Sequence, residues 1–275
     1  MKNINSVAVL ASLLILYSEA GSADLLFEKC GGMRGNPTET LGPWTALLHE
    51  NGTIFCAGTL ITNLFVLTTA SCIKANKTVK VRLGQFGRDR GEFPEDHMVR
   101  FSLRYRYFNK GIPGNDIGLL KLTKQVDLKD HISPVCIILG SQQRSVYDFI
   151  GSAWNQIKDE YIAMELRPIR IRPNSQYCQE LNVYNQFCAG HPFNSGSCDG
   201  ITGSALIQNY RNTNQESAAQ LIGIATADNM ECQGAQAYTN VTELQVWIAS
   251  VVSVFTLYNP TSSYLASQFS EQIFA

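Results

Sequence analysis

Eight cysteines constrain this chain more than any other feature: Cys30, Cys56, Cys72, Cys136, Cys178, Cys188, Cys198 and Cys232. None forms a Cys-x-x-Cys pair and no histidine pair stands near them, so the usual zinc ligand spacing is missing and no metal is expected. They follow an N-terminal leader. Lys2 supplies the positive start, Val7–Tyr17 the apolar run, and Ala20, Gly21, Ser22 and Ala23 the small residues that follow. That pattern reads residues 1–22 as a secretory signal. The run is too short to span a bilayer. Secretion places the cysteines in an oxidising compartment, where four disulfides are expected rather than free thiols. Spacing alone leaves their pairing open.

With 275 residues, 45% of them hydrophobic, the chain can build one large domain or two small ones with a sizeable core. A formal net charge of −1 gives no general electrostatic case for nucleic acid or an anionic membrane as partner. No second long apolar run follows the leader, so no stable membrane insertion is expected. Three Asn-x-Thr acceptors, at Asn51, Asn76 and Asn240, are expected to be surface glycan sites in a secreted chain.

Local patterns favour strands. Two apolar runs flank Asn51-Gly52, the strongest short hairpin signal. Leu103, Tyr105 and Tyr107 alternate with Arg104 and Arg106, which reads as a half-buried strand with one solvated face. Near the end, Thr242-x-x-Gln245 reads as a capping box. Leu244, Trp247, Ile248, Val251, Val252 and Phe255 then recur at helical spacing, until Asn259-Pro260 ends the pattern.

Three stretches go together. Gly196–Leu206 reads Gly-Ser-Cys-Asp-Gly-Ile-Thr-Gly-Ser-Ala-Leu, Val66–Cys72 reads Val-Leu-Thr-Thr-Ala-Ser-Cys, and Asn115–Leu122 reads Asn-Asp-Ile-Gly-Leu-Leu-Lys-Leu. They resemble the trypsin/chymotrypsin family of serine endopeptidases, whose versions are Cys-x-Gly-Asp-Ser-Gly-Gly-Pro-Leu, Val-Leu-Thr-Ala-Ala-His-Cys and Asn-Asp-Ile-Ala-Leu-Leu-Lys-Leu. The resemblance covers residues 30–255. It implies an all-β fold of two antiparallel six-stranded β-barrels with a C-terminal helix. The implied divisions are a lead segment over 23–42, a first barrel over 43–140, a second over 141–241, a closing helix over 242–258 and an extension over 259–275. It also implies the pairing Cys30–Cys136, Cys56–Cys72, Cys178–Cys188 and Cys198–Cys232.

Against that family the chemistry is depleted. The general-base histidine is replaced by Ser71, and a hydroxyl takes up no proton near neutral pH. The nucleophilic serine is replaced by Thr202; only Asp116 of the triad is kept. Asp116 is therefore expected to serve structure, buried and bonded to hydroxyls such as those of Ser71 and Thr226. His49, His97, His131 and His191 lie at no catalytic position and are expected in loops or on the surface. The family's activation terminus would fall at about Gly31, yet no Ile-Val-Gly-Gly is present, and Arg34 is the one tempting cleavage site. The aspartate that would receive the new ammonium is Ile201. Losing both charges together is self-consistent, because either one buried alone is costly. Gly200 keeps the oxyanion-loop position. In the specificity pocket the floor is Gly196, without charge, and Asp228 and Gln236 replace glycines of the walls, which should narrow or fill it.

The reading is a secreted serine protease homologue without catalysis or cofactor. It would act through an extracellular protein partner, a protease or a protease substrate, as regulator or decoy in a proteolytic cascade such as invertebrate immunity. The alternatives are an endopeptidase with residual or atypical activity, and a polyanion- or membrane-surface-binding module built on Arg100, Arg104, Arg106 and Lys110.

Overall fold

The computed structural model describes residues 24–32, 41–74, 78–85, 92–112, 114–140, 148–156, 164–173, 185–190, 202–211, 217–226 and 235–257; for 153–156, 164–173, 211 and 235 it describes the backbone alone. The leader, Arg34, Asn76, Cys178, His191, Gly196, Cys198, Gly200, Ile201, Asp228, Cys232 and the extension after Leu257 lie outside the described residues.

A short strand β1 (Asp24–Leu25) opens the chain. The first barrel uses β2 (Thr45–Glu50), β3 (Thr53–Leu60), β4 (Phe65–Thr68), β5 (Lys80–Leu83), β6 (Glu95–Arg104) and β7 (Gly118–Leu122). They close in the order β2-β3-β4-β7-β6-β5, all antiparallel. The connecting strand β8 (Ile138–Leu139) pairs with β1. The second barrel uses β9 (Phe149–Gln156), β10 (Met164–Pro173), β11 (Gln186–Gly190), β12 (Ala205–Arg211), β13 (Ser217–Ala225) and β14 (Ala235–Asn240). It closes as β10-β11-β14-β13-β12-β9. Two closed six-stranded antiparallel barrels are thus present, as the resemblance implies.

Local chemistry accounts for the first hairpin. Asn51 and Gly52 take φ of 51° and 87°, the left-handed pair that a two-residue hairpin requires. β4 and β7 are buried at every position, on both faces, Thr68 and Lys121 included. Leu60, Phe65, Leu67, Leu119 and Leu122 belong to one buried cluster that runs from the first barrel to the C-terminal helix; Phe149, Leu206, Ile222 and Tyr238 form a second cluster in the second barrel.

Helix α1 (Gln245–Leu257) closes the chain. Its whole stripe, from Leu244 through Phe255, is buried. The stripe packs on the first barrel: Phe255 meets Phe101 at 4.7 Å between ring centres, and Trp247 meets Tyr105 at 5.1 Å. Lys121 of β7, itself buried, donates its Nζ to the carbonyl of Phe255 near the helix end, where a cation suits the dipole.

Three local expectations do not hold. The capping box is not formed: Thr242 N–H and Oγ–H donate to Asn240 Oδ1, at 3.1 and 2.6 Å, while Gln245 Oε1 accepts the N–H of Gly140 at 2.8 Å. A tertiary partner has taken the glutamine. The β6 alternation stops at Arg104, because the chain turns back with Phe108 N–H donating to Tyr105 O, and Tyr107 is exposed. Asn240 is not a surface amide: it is 7% exposed, at the end of a barrel strand, with its Oδ1 held by Thr242.

Two disulfides follow the implied pairing. Cys30–Cys136 joins the lead segment to the approach to β8, with Cα atoms 4.9 Å apart, and Cys56–Cys72 joins β3 to the turn after β4, at 6.1 Å. Cys188 is also disulfide-bonded; its implied partner lies outside the described residues.

Candidate functional site

Asp116 and Ser71 meet at the seam of the two barrels. Ser71 sits in a single 3-10 turn, Ala70–Cys72, that leaves β4 and is pinned to β3 by Cys56–Cys72. Asp116 sits just before β7, where Asn115 takes φ of 60° and accepts a 2.7 Å hydrogen bond from Asn185 of the second barrel. Asp116 is 5% exposed. Burying a carboxylate in this way costs several kcal/mol unless donors surround it. Ser71 provides two: its N–H reaches Oδ1 at 2.8 Å and its Oγ–H reaches Oδ2 at 2.8 Å. Thr239 of β14 donates its hydroxyl to the Asp116 carbonyl at 2.9 Å, so one residue ties the barrels together.

This arrangement fixes proton direction. Ser71 has one hydroxyl proton and spends it on Asp116. Thr69, 3.0 Å from Ser71 Oγ, must then donate to Ser71. The chain runs Thr69 to Ser71 to Asp116 and ends on the carboxylate. No imidazole takes part in it. Asp116 is buried and bonded as expected. Thr226 is not among its partners: its hydroxyl donates to Ala237 O at 3.1 Å.

Thr202 and Gly203, the end of the loop that is described, are fastened to both barrels. The carbonyl of Thr202 accepts Ala57 N–H at 2.9 Å, and Gly203 N–H donates to Ala225 O at 2.8 Å. Gly203 has φ of 92°, and a Cβ there would lie 2.2 Å from Ala57 O and 2.7 Å from Thr68 Oγ1. Only glycine fits between the barrels at this point. Among the described residues, no hydrogen bond joins Thr202 Oγ1 to Ser71 or Asp116, although the Thr202 carbonyl lies 3.7 Å from Sγ of Cys72, the residue after Ser71.

Gln236 of β14 is 6% exposed, and its Nε2 donates to Thr226 O at 3.3 Å. A buried amide thus stands between β14 and Thr226. Its Oε1 has no partner among the described residues.

The lead segment is fastened where an activation terminus would fall. Gly31 N–H donates to Pro134 O at 2.8 Å, and its carbonyl accepts Ala219 N–H at 3.1 Å. Its φ is 75°, and a Cβ would lie 2.7 Å from Cys136 Sγ. Gly31 is buried within the chain's own fold.

Two histidines depart from expectation, His49 and His97, which lie on β2 and β6; His131 lies in a turn as expected, though buried. His49 and His131 are 2% and 4% exposed. His49 Nδ1 accepts Gly52 N–H at 3.3 Å while Nε2 faces Asp96 at 3.2 Å; His131 faces Glu92 at 3.0 Å and His97 faces Glu95 at 3.5 Å. Each faces a carboxylate from the segment that opens β6, which the sequence alone did not pair. Burial pushes the His97 imidazole down, against the pull of Glu95. Asp96 is held low first by its hydrogen bond from Arg82, at 2.7 Å. None of these groups reaches Ser71 or Thr202. Among the described residues no cluster of histidine, cysteine or acidic side chains could hold a metal ion. The basic stretch is engaged locally: Arg104 donates to Ile73 O and Arg106 stacks 4.4 Å over Tyr107.

A family model described as Trypsin matches residues 30–248, most of the chain. The chain belongs to the trypsin family. Among curated relatives, coagulation factor IX of Cavia porcellus is 27% identical over 208 residues, 70% of this chain and 71% of that protein. Coagulation factor IX of Oryctolagus cuniculus is 28% identical over 208 residues, 70% and 74% of the two chains. The solved structure of neuropsin, a serine protease expressed in the limbic system of mouse brain, superposes with a TM-score of 0.61 at 22% identity, over 82% of this chain and 99% of that one. That likeness confirms the fold.

Among the described residues no helix is long and apolar enough to cross a membrane.

Proposed function

We propose that this trypsin-family chain is a secreted, non-catalytic protease homologue that acts by binding another extracellular protein, as regulator or decoy in a proteolytic or immune cascade. The observation that carries the reading is the closed pair of Ser71 and Asp116, in which both hydrogen bonds from Ser71 end on the carboxylate. A working site would spend that carboxylate on orienting a base. Loss of the nucleophile and base together costs about 10⁶ in kcat, or roughly 8 kcal/mol of barrier. Gln236 adds a second obstacle, since its buried amide stands where a substrate side chain would enter. Gly31, fastened on both sides, argues against activation by a freed terminus at that point. The disulfides suit an extracellular setting. The similar proteins named for coagulation suggest a cascade as the setting. The partner we propose is a protease or a protease substrate, met on the face of the former cleft.

The test is to expose the secreted protein, before and after trypsin treatment, to a fluorophosphonate probe and a broad peptide library. No labelling and no cleavage, with a protein retained from extracellular fluid, is the expected result. Labelling at Thr202, or cleavage lost in Thr202→Val, refutes the proposal.

A further inference from the structure

We infer that Asn51 carries an N-linked oligosaccharide in the folded, secreted protein and that Asn240 does not. Both begin an Asn-x-Thr acceptor, so the sequence treats them alike. The fold separates them. Asn51, Gly52 and Thr53 are all exposed at the tip of the β2–β3 hairpin. No hydrogen bond holds the Asn51 side chain among the described residues. The space around the tip is open: a Cβ built on Gly52 would meet nothing within 4 Å. The hairpin does not depend on the amide either, because His49 Nδ1 accepts the Gly52 N–H and the positive φ values are met by the backbone. A bulky polar group can therefore be added to the Asn51 nitrogen without displacing anything.

Asn240 is the opposite case. Its residue is buried, Val241 beside it is fully buried, and Oδ1 accepts both the N–H and the hydroxyl of Thr242, the third residue of its own acceptor. A sugar there would have to be accommodated where β14 turns toward α1. A glycan on Asn240 would have to leave through the little surface that this 7% exposed residue keeps, so chains carrying one should fold poorly.

In the transfer step the Asn51 side-chain nitrogen bonds to the anomeric carbon of a diphosphate-activated oligosaccharide. The carbon–oxygen bond to the diphosphate breaks, and the amide gives up one proton. The product stands in the turn that opens β3, and Thr53, the first residue of that strand, lies four residues or about 13 Å from Ala57, whose N–H holds the Thr202 carbonyl. The sugar would border the former cleft rather than cover it.

The inference rests on the secretory reading, and the experiment keeps the two apart. The full chain, with its own leader, is expressed in animal cells and collected from the medium. Intact mass is read before and after peptide-N-glycosidase F, glycopeptides are mapped, and Asn51→Gln, Asn76→Gln and Asn240→Gln are compared. We expect an intact glycopeptide at Asn51 in most molecules, one glycan lost in Asn51→Gln, and a bare peptide at Asn240. A bare Asn51 peptide, or a glycan at Asn240, in medium protein whose Cys30–Cys136 bond is formed overturns the inference while leaving secretion standing. Protein retained in the cytosol with reduced cysteines would overturn the secretory reading and this inference with it.

Discussion

Ser71→Ala tests the central geometry. The change removes one charge-assisted hydrogen bond, Oγ–H to Asp116 Oδ2 at 2.8 Å, and leaves the backbone bond to Oδ1 in place. Hydrogen bonds to charged groups contribute about 1.5–3 kcal/mol; Asp116 is buried but Ser71 is exposed, so water can enter the vacated space and the cost should lie toward the lower end of that range. For a domain of this size that range corresponds to a fall in Tm of about 3–12 °C. In an Asp116→Asn background the same change should cost only about 0.5–1.5 kcal/mol, since a neutral amide accepts more weakly. The difference is the coupling between the two residues. Urea unfolding at pH 7, followed by the fluorescence of the 3 tryptophans, measures all four proteins. A Ser71→Ala cost within about 0.5 kcal/mol of zero, the range of an ordinary surface change, would refute the claim that Ser71 satisfies a buried carboxylate. Equal costs in both backgrounds would refute the claim that charge strengthens the bond.

Gly203→Ala should prevent folding, with little protein secreted, because its Cβ would lie 2.2 Å from a carbonyl oxygen. Gly52→Ala, at a similar φ but in open space, should cost only about 1–3 kcal/mol of backbone strain by urea unfolding. Phe255→Ala should cost about 3–5 kcal/mol, read by the same method, since the ring is buried against Phe101. Stability should fall in two stages on acidification. The first follows His97: from pH 6.5 down to its lowered folded value, the unfolded chain binds a proton that the native chain refuses, and His97→Gln should flatten that stage. The second follows Asp96, whose contribution is present above 3.8 and lost as pH falls through its depressed folded value; Arg82→Ala should shrink it.

What the sequence made legible was either local or carried by a family pattern. Asn51-Gly52 announced its turn because few residues accept those angles. The helical stripe from Leu244 to Phe255 was legible because one face repeats. The barrels and the cysteine pairs came from the resemblance, not from periodicity. Contacts set by strand register were invisible: His49 meets Asp96 only because β2 and β6 both pair with β5. Local motifs also misled where a distant group competed. The capping-box glutamine went to Gly140, 105 residues away, and Asn240 was claimed by its neighbour and the barrel interior. At the candidate site the residue types themselves, Ser71, Asp116 and Thr202, were readable one by one. That Ser71 donates twice to Asp116, with Thr69 behind it, required coordinates.

Cys30 and Cys136, separated by 106 residues, also set an order for manufacture. At about 5–20 residues per second, Cys30 emerges from the ribosome about 5–20 s before its partner exists. Cys56 and Cys72 both appear within that interval, only 16 residues apart. The small loop can therefore oxidise first, and doing so withdraws the two nearest wrong partners from Cys30. Between the emergence of Cys56 and that of Cys72 the chain is exposed to an early mispairing, which must be reshuffled before β1 can find β8. In an oxidising compartment, that brief window gives thiol exchange a part in the yield of folded protein.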